Sequence, residues 1–166
     1  MRLGIEVTTA VKVTRAFAQA PEIVLDELET AMGSAVAYLL RETQENTPTA
    51  TGVLRRSFIG TVDVLASLDA AFGTVGSTLP YALPVELGTK PHYPPLAPLI
   101  SWVEQKLGLQ GDEAEARALA IQRRIGRTGT PGYGMARFAL IDGRETIAAE
   151  FADAAARITA RLEGLA

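Results

Sequence analysis

Residues 47–57 have the sequence TPTATGVLRRS and separate a helical pattern from the most β-rich part of the chain. Pro48 has no backbone N–H and disfavours helical angles at Thr47, so the preceding helix should end near Asn46. Gly52 permits backbone angles that are closed to other residues, and the neighbouring threonines can hydrogen-bond the local backbone. This stretch therefore predicts a helix-to-strand junction, a feature that many α+β domains contain.

A long amphipathic helix is predicted before the junction. Pro21 suits a first helical position, and apolar residues then recur at steps of three and four. The stripe consists of Leu25, Leu28, Met32, Val36 and Leu39. We expect a helix over residues 21–46 that packs on a sheet. Residues 1–20 contain many β-branched side chains between 3 and 13, which favours a strand or a flexible arm.

Two strands are predicted after the junction, at 58–65 and 71–77, joined as a hairpin by 67–70. The glycines inside them, Gly60, Gly73 and Gly76, indicate bulges or close approach of another backbone. Residues 81–87 are predicted as a third extended piece. Six of the nine prolines fall within 80–98, which favours a stiff, extended connection.

The C-terminal part predicts three helices and a loop. One helix should begin at Pro98 and end before Gly108, with Leu99, Val103 and Leu107 on one face. The next should begin at a capping box formed by Asp112 and Glu115, with Ala114, Ala118, Ile121 and Ile125 in register. A flexible, glycine-rich loop is expected at 126–134, and a capping box at Asp142 and Glu145 should open a last helix over 143–163.

Composition indicates one globular α+β domain over residues 1–166, with long helices on a small antiparallel sheet. Hydrophobic residues make up 48% and charged residues 21% of the 166 residues. The absence of cysteine excludes disulfides and thiolate metal sites. A net charge of −3 argues against a dedicated nucleic-acid-binding protein. No membrane span and no signal peptide are expected.

The chemistry of individual residues predicts no active site, cofactor or metal. His92 is the single histidine, and it could share a metal with Glu86, but a structural histidine is the better interpretation. Residues 129–134 are glycine-rich yet lack the Gly-Lys-Ser/Thr ending of a phosphate-binding loop. The arginines at 55–56 and at 123, 124 and 127 could contact phosphate, although ordinary solvated side chains are the default.

Three sequence blocks occur in a recognisable order. The first block is TPxxTGxLRxS at 47–57, after a long helix. The second block is YAxxVExGT at 81–89, followed by PH at 91, PP at 94 and WV at 102. The third block consists of AIxxxI at 120–125, GTPG at 129–132 and AL at 139–140. Together they resemble a family of tailed-phage neck and tail-completion proteins, the gene-product-ten-like head–tail joining group of long-tailed phages, prophages and gene transfer agents.

This resemblance implies a structural virion protein without catalytic activity. It implies a ring, usually a hexamer, in the neck between capsid portal and tail tube, where it joins or completes the tail and lets duplex DNA pass without tight binding. The partners would be further copies, a head-completion or stopper protein, and a tail terminator or tail-tube protein, assembled in the bacterial cytoplasm. Candidate interface residues are Thr51, Gly52, Leu54, Arg55, Ser57, Tyr81, Val85, Glu86, Gly88, Thr89, Tyr93 and Trp102.

Alternatives remain open at this stage. The chain could be the neighbouring tail terminator ring, an accessory nucleic-acid-binding protein that uses its arginine clusters, or a small hydrolase that uses Glu86 and His92. The segment from Tyr81 to Pro98 is expected to serve assembly more than folding. Its prolines should leave it few hydrogen bonds to its own domain, and its apolar side chains should need cover from a neighbouring subunit. The alternative is that these side chains pack on the sheet of their own domain.

Overall fold

A computed structural model describes residues 7–49, 51–65 and 70–165. In chain order its elements are α1 Val7–Glu45, α2 Val53–Ser57, β1 Phe58–Leu65, β2 Ala70–Ser77, α3 Ala82–Leu87, β3 Gly88–Thr89, α4 Leu96–Leu107, α5 Gly111–Thr128, β4 Thr130–Pro131, α6 Met135–Asp142 and α7 Arg144–Glu163. β1 pairs with β2 and β3 with β4. Long helices beside a small antiparallel sheet confirm the α+β class.

The first helix is longer than the sequence predicts. α1 spans 39 residues from Val7, so the strand expected within 3–13 is wrong from Val7 onward, and residues 1–6 lie outside the described part. Pro21 sits inside the helix. A proline removes one hydrogen bond and strains the preceding turn, yet alanine-rich sequence before it, AFAQA at 16–20, favours helix strongly enough to continue. The predicted end near Asn46 is confirmed, because α1 ends at Glu45.

The fold comprises two compact units. The first contains α1 as far as Arg41, β1 from Ile59, β2 as far as Gly76, and the chain from Leu140. The second contains residues 42–58 and 77–139. None of the described helices combines the length and apolar composition that crossing a membrane requires.

In the first unit, glycines bring the hairpin close to α1. A Cβ atom at Gly60 would lie 2.6 Å from Val36 Cγ1, and one at Gly73 would lie 2.7 Å from Met32 Sδ. Larger residues would push the strands off the helix, since these distances are below van der Waals contact. Packing of the sheet on the α1 stripe is thus confirmed. The atoms nearest to Gly60 and Gly73 are side chains of α1 rather than another backbone, and a Cβ atom at Gly76 would meet nothing within 4 Å, so the predicted approach of another backbone is wrong at these positions. Strand β2 begins one residue early, at Ala70, and the rest of the predicted link lies outside the described residues.

Helices α1 and α7 are joined by ion pairs. Glu27 is only 8% exposed; it accepts hydrogen bonds from Arg157 Nε at 2.7 Å and from Arg161 Nη1 at 3.0 Å. Arg161 also contacts Asp26. Hydrogen bonds from the two arginines hold the pKa of Glu27 below its usual range. Ala154 of α7 is buried as well. The first unit therefore has a polar, charge-neutralised contact between its two long helices.

In the second unit, α4 and α5 form a helical hairpin. Val103, Ala114 and Ala118 are fully buried at its centre, and Leu99 and Ile121 pack against them. The predicted apolar faces are confirmed, although Leu107 and Ile125 are not part of this cluster. α4 begins two residues before Pro98 and ends at Leu107, and the Gly108 that follows has a left-handed φ of 68°.

Both predicted capping boxes are wrong. The residue before α5 is Gln110, and the residue before α7 is Gly143; neither makes a side-chain capping bond. Asp112 and Glu113 instead lie in the first turn of α5, where carboxylates favour the helix dipole without acting as caps.

Two predicted irregular segments contain regular structure. Residues 82–87 are helical because Pro84 falls in the first turn of α3, where a missing N–H costs no intrahelical bond. Residues 126–128 belong to α5, and β4 pairs antiparallel with β3 in the register Gly88↔Pro131 and Thr89↔Thr130. The short helix α6 was not predicted.

Candidate functional site

All twelve candidate interface residues lie in the second unit, on α2, α3, β3 and α4 and the segments beside them. They therefore share one folded body, although they come from two blocks that are separated by 24 positions, from Ser57 to Tyr81, in sequence. Their individual positions explain the residue types of the blocks.

The first block closes the end of α1. Thr47 is buried, and its Oγ1 donates to the carbonyl of Thr43, also buried, at 2.6 Å. The amide of Gln44 lies 3.4 Å from the carbonyl of Phe58. A carbonyl at a helix end lacks its intrahelical partner, so the Thr47 hydroxyl replaces the missing donor at Thr43. The threonine before Pro48 therefore has a structural role in ending the helix.

Gly52 turns the chain into α2. Its φ of 75° and ψ of 4° lie in the left-handed region, where a Cβ atom is disfavoured. Leu54 in the first turn of α2 is buried, whereas Arg55 is exposed. Arg56 donates to the carbonyl of Thr51 at 3.4 Å. The turn thus directs a leucine inward and leaves the preceding and following side chains at the surface.

Ser57 links the end of α2 to the end of β2. Its Oγ donates to the carbonyl of Leu54 at 2.7 Å and lies 2.7 Å from Ser77 Oγ. Ser77 Oγ also accepts from the backbone N–H of Leu79 at 3.2 Å. Since the Ser57 hydrogen is used on Leu54, Ser77 is the donor between the two hydroxyls. This chain of hydrogen bonds requires a hydroxyl at position 57.

The first and second blocks meet at a shallow depression of about 160 Å³, lined by Leu54, Tyr81 and Val85 together with residues 48 and 51–53. Tyr81 is 45% exposed there. An apolar cavity of about 150 Å³ can hold a benzene-sized group, so this depression fits one large side chain. The opposite face of α3 presents Leu83 and Leu87, which are 64% and 71% exposed.

Glu86 caps a helix that lies 50 residues away in sequence. Its two carboxylate oxygens accept hydrogen bonds from the backbone N–H groups of Ala136 at 3.0 Å and Arg137 at 3.1 Å, in the first turn of α6. The carbonyl of Glu86 accepts from Gly134 N–H at 3.0 Å, and that of Val85 accepts from Tyr133 N–H at 2.9 Å. Glu86 therefore joins the second and third blocks.

His92 has different partners from Glu86. Its Nδ1 lies 3.0 Å from the carbonyl of Lys90 and 3.3 Å from Thr89 Oγ1. Nδ1 therefore carries the hydrogen when it bonds the carbonyl. Among the residues that the structure describes, no three histidine or acidic side chains cluster as metal ligands. The geometry supports the structural interpretation of His92.

Thr89 and three glycines hold β3 against β4. The hydroxyls of Thr89 and Thr130 lie 2.8 Å apart, and Thr130 N–H donates to Thr89 Oγ1 at 3.2 Å. A Cβ atom at Gly88, Gly129 or Gly132 would collide with the backbone of the facing segment. These glycines are required because the two backbones approach without room for side chains.

The expectation that residues 81–98 make few hydrogen bonds to their own domain is wrong. Besides the bonds of α3 and β3, the carbonyl of Pro94 accepts from Gln122 Nε2 at 2.7 Å. The ring of Tyr93 packs on Gly126 of α5, where a Cβ atom would come within 2.5 Å of the ring, yet Tyr93 remains 69% exposed. The backbone of this segment is satisfied, while several of its apolar side chains face solvent.

A larger groove, here named the Trp102 groove, lies on the α4–α5 hairpin. Its volume is about 820 Å³, and its lining includes Leu99, Trp102, Ile121, Arg124 and Tyr133. Trp102 is 42% and Tyr133 58% exposed. The sequence analysis did not identify Tyr133 as a candidate interface residue, because it lies among the glycines of the expected flexible loop. An aromatic residue in a glycine-rich segment was the feature that could have indicated a contact there.

The comparisons with known proteins agree with the sequence blocks. Residues 12–88 match the family model described as "Bacteriophage HK97-gp10, putative tail-component". The match contains the first block and residues 81–88 of the second, and the third lies beyond it. Searches of curated proteins and of solved structures found no match. The resemblance is confirmed over residues 12–88, which are similar to the HK97 gp10-like family of phage tail components.

Proposed function

We propose that the chain forms a ring in the phage neck, where it joins or completes the tail while duplex DNA passes through. The observation that carries this proposal is the match of residues 12–88 to a phage tail-component family. The ring would consist of six copies and would contact a head-completion or stopper protein on one side and a tail terminator or tail-tube protein on the other. The chain would act structurally, without catalysis, after assembly in the host cytoplasm.

The second unit supports an assembly role. Two apolar side chains on α3, Leu83 and Leu87, are more than half exposed, and the backbone around them is held by hydrogen bonds. Exposed apolar side chains on a rigid backbone lose little conformational entropy on docking, which favours association. Three candidate interface residues of the same unit, Tyr81, Tyr93 and Trp102, also have exposed side chains.

The charge of the chain supports passage of DNA without tight binding. Each lysine or arginine that neutralises a phosphate adds salt-dependent affinity, and a net charge of −3 provides no surplus of such contacts. A strongly held duplex would resist movement through the ring. The expected result with purified protein and duplex DNA is no retention at physiological salt.

The decisive test uses particles produced by a bacterium that carries the gene. Removal of the gene should leave capsids and tails unjoined, and supply of the chain in trans should restore complete particles. The exposed α4 variant E104K serves as the matched control and should also restore them. Normal joined particles without the chain, or absence of the chain from purified particles by mass spectrometry, would contradict the proposal. Tails of uncontrolled length would instead indicate a terminator.

A further inference from the structure

The Trp102 groove requires an occupant with apolar and acidic character. Its walls include Leu99, Ile121 and the exposed rings of Trp102 and Tyr133, while Arg124 supplies a cation at the same place. Monomeric proteins seldom leave two aromatic rings in one concave surface without a partner. An occupant should therefore place an apolar side chain between the rings and a carboxylate near Arg124.

Helix α5 carries opposite charges at its two ends. Asp112, Glu113 and Glu115 are exposed near its start, and Arg123, Arg124 and Arg127 are exposed near its end. Asp112 and Arg127 are 15 residues apart, so the two groups are separated by up to about 22 Å along the helix axis. Within the described residues, none of the six forms an ion pair within 4.0 Å. Both ends are thus available to charges of another molecule.

The acidic end also presents an apolar side chain. Leu107 is the last residue of α4 and is 45% exposed, and only three residues separate it from α5. Gly108 turns the chain there with a φ of 68°. The connection between α4 and α5 therefore displays a leucine beside two carboxylates, Asp112 and Glu113. This combination matches what the Trp102 groove requires.

We propose that the Trp102 groove receives the acidic end of α5, with Leu107, from a second copy of this chain. The contact rests on the proposed ring, for which it supplies the surface between neighbouring copies. The two complementary surfaces lie at opposite ends of one helical hairpin, so each copy can donate one and receive the other. Such a head-to-tail contact repeats around a ring, whereas a two-fold dimer would need a surface complementary to itself.

The test uses two charge-reversed variants and the only tryptophan in the chain. D112K/E113K alters the acidic end, and R124E/R127E alters the groove. Association of the wild type should shift the emission of Trp102 to shorter wavelength as its ring leaves water, together with a rise in mass by light scattering. Each variant alone should associate at least about tenfold more weakly, because like charges would then face each other.

Mixing the two variants provides the specific prediction. In an alternating assembly, the acidic end of R124E/R127E meets the native groove of D112K/E113K, and the reversed pair meets at the next contact. The mixture should therefore regain mass and the Trp102 shift. Two single reversals at exposed positions of the same hairpin, E104K and R117E, are the matched controls and should associate like the wild type. Helical circular dichroism checks that every variant is folded.

The outcomes separate this contact from the ring itself. Association of wild type and variants alike, or a wild-type assembly without a Trp102 shift, would refute the contact and leave the proposed function standing. Failure of the mixture to associate would refute it as well. A wild type that remains monomeric at its highest soluble concentration would also refute the contact, and the particle experiment would then decide the proposed function independently.

Discussion

Replacement of Glu86 by alanine should destabilise the second unit through the loss of a helix cap. The carboxylate bonds two backbone N–H groups of α6, those of Ala136 and Arg137. Loss of a capping side chain costs about 0.5–2 kcal/mol, and a hydrogen bond to a charged group contributes about 1.5–3 kcal/mol. Water can replace the acceptor at Arg137, since that bond is exposed, so we expect a loss of about 2 kcal/mol in the free energy of unfolding.

Thermal unfolding followed by circular dichroism measures this effect. For a chain of this size, each kcal/mol lowers the midpoint by about 2–4 °C, so E86A should unfold about 4–8 °C below the wild type. E86Q keeps one acceptor oxygen and should lose about half as much. E104A removes an exposed glutamate of α4 and is the control. If E86A and E104A unfold together within about 1 °C, the capping role of Glu86 is wrong.

Three further predictions follow from other contacts. Because folding lowers the pKa of Glu27, the ionised carboxylate stabilises the folded protein fully above the unfolded pKa of about 4.3, and this stabilisation is lost as pH falls through the lower pKa of the folded state. The variant E27Q lacks this titration, so its thermal midpoint should fall less than that of the wild type between about pH 5 and 3. G129A should prevent stable folding because its Cβ would meet the backbone of β3. G108A has a similar φ and open space around it, so it should lower the free energy of unfolding by only about 1–2 kcal/mol, measured by chemical denaturation. Equal losses for the two variants would contradict the close approach of Gly129 to β3. The double variant Y81A/Y93A should shift the thermal midpoint little, since Tyr81 is 45% and Tyr93 69% exposed, yet lose particle assembly in complementation. Outright unfolding, or normal assembly, would place the interface elsewhere.

Local sequence was sufficient for the long helices and the hairpin. The apolar repeat that includes Met32 and Val36, the alternation in β1 and β2, and Gly108 after α4 all act within a few residues, so they can be recognised without the rest of the chain. The same holds for the family: the block at 47–57 contains residues whose roles in ending α1 and turning into α2 are local.

Only the tertiary structure decided which segments meet. The capping of α6 by Glu86, the pairing of β3 with β4 and the packing of Tyr93 on Gly126 join residues 33 to 51 positions apart, and no local pattern encodes such distances. Segments that the sequence predicted as extended or flexible therefore acquired structure from their partners.

Proline shows the same division. Its lack of an N–H was evident from the sequence, but whether that ends a helix depends on position: Pro48 follows the end of α1, Pro84 lies in a first turn, and Pro21 is carried within α1. The sequence determined where backbone N–H donors are missing. The surrounding fold decided whether each missing hydrogen bond was compensated, because the compensating free energy comes from contacts with residues distant in the chain.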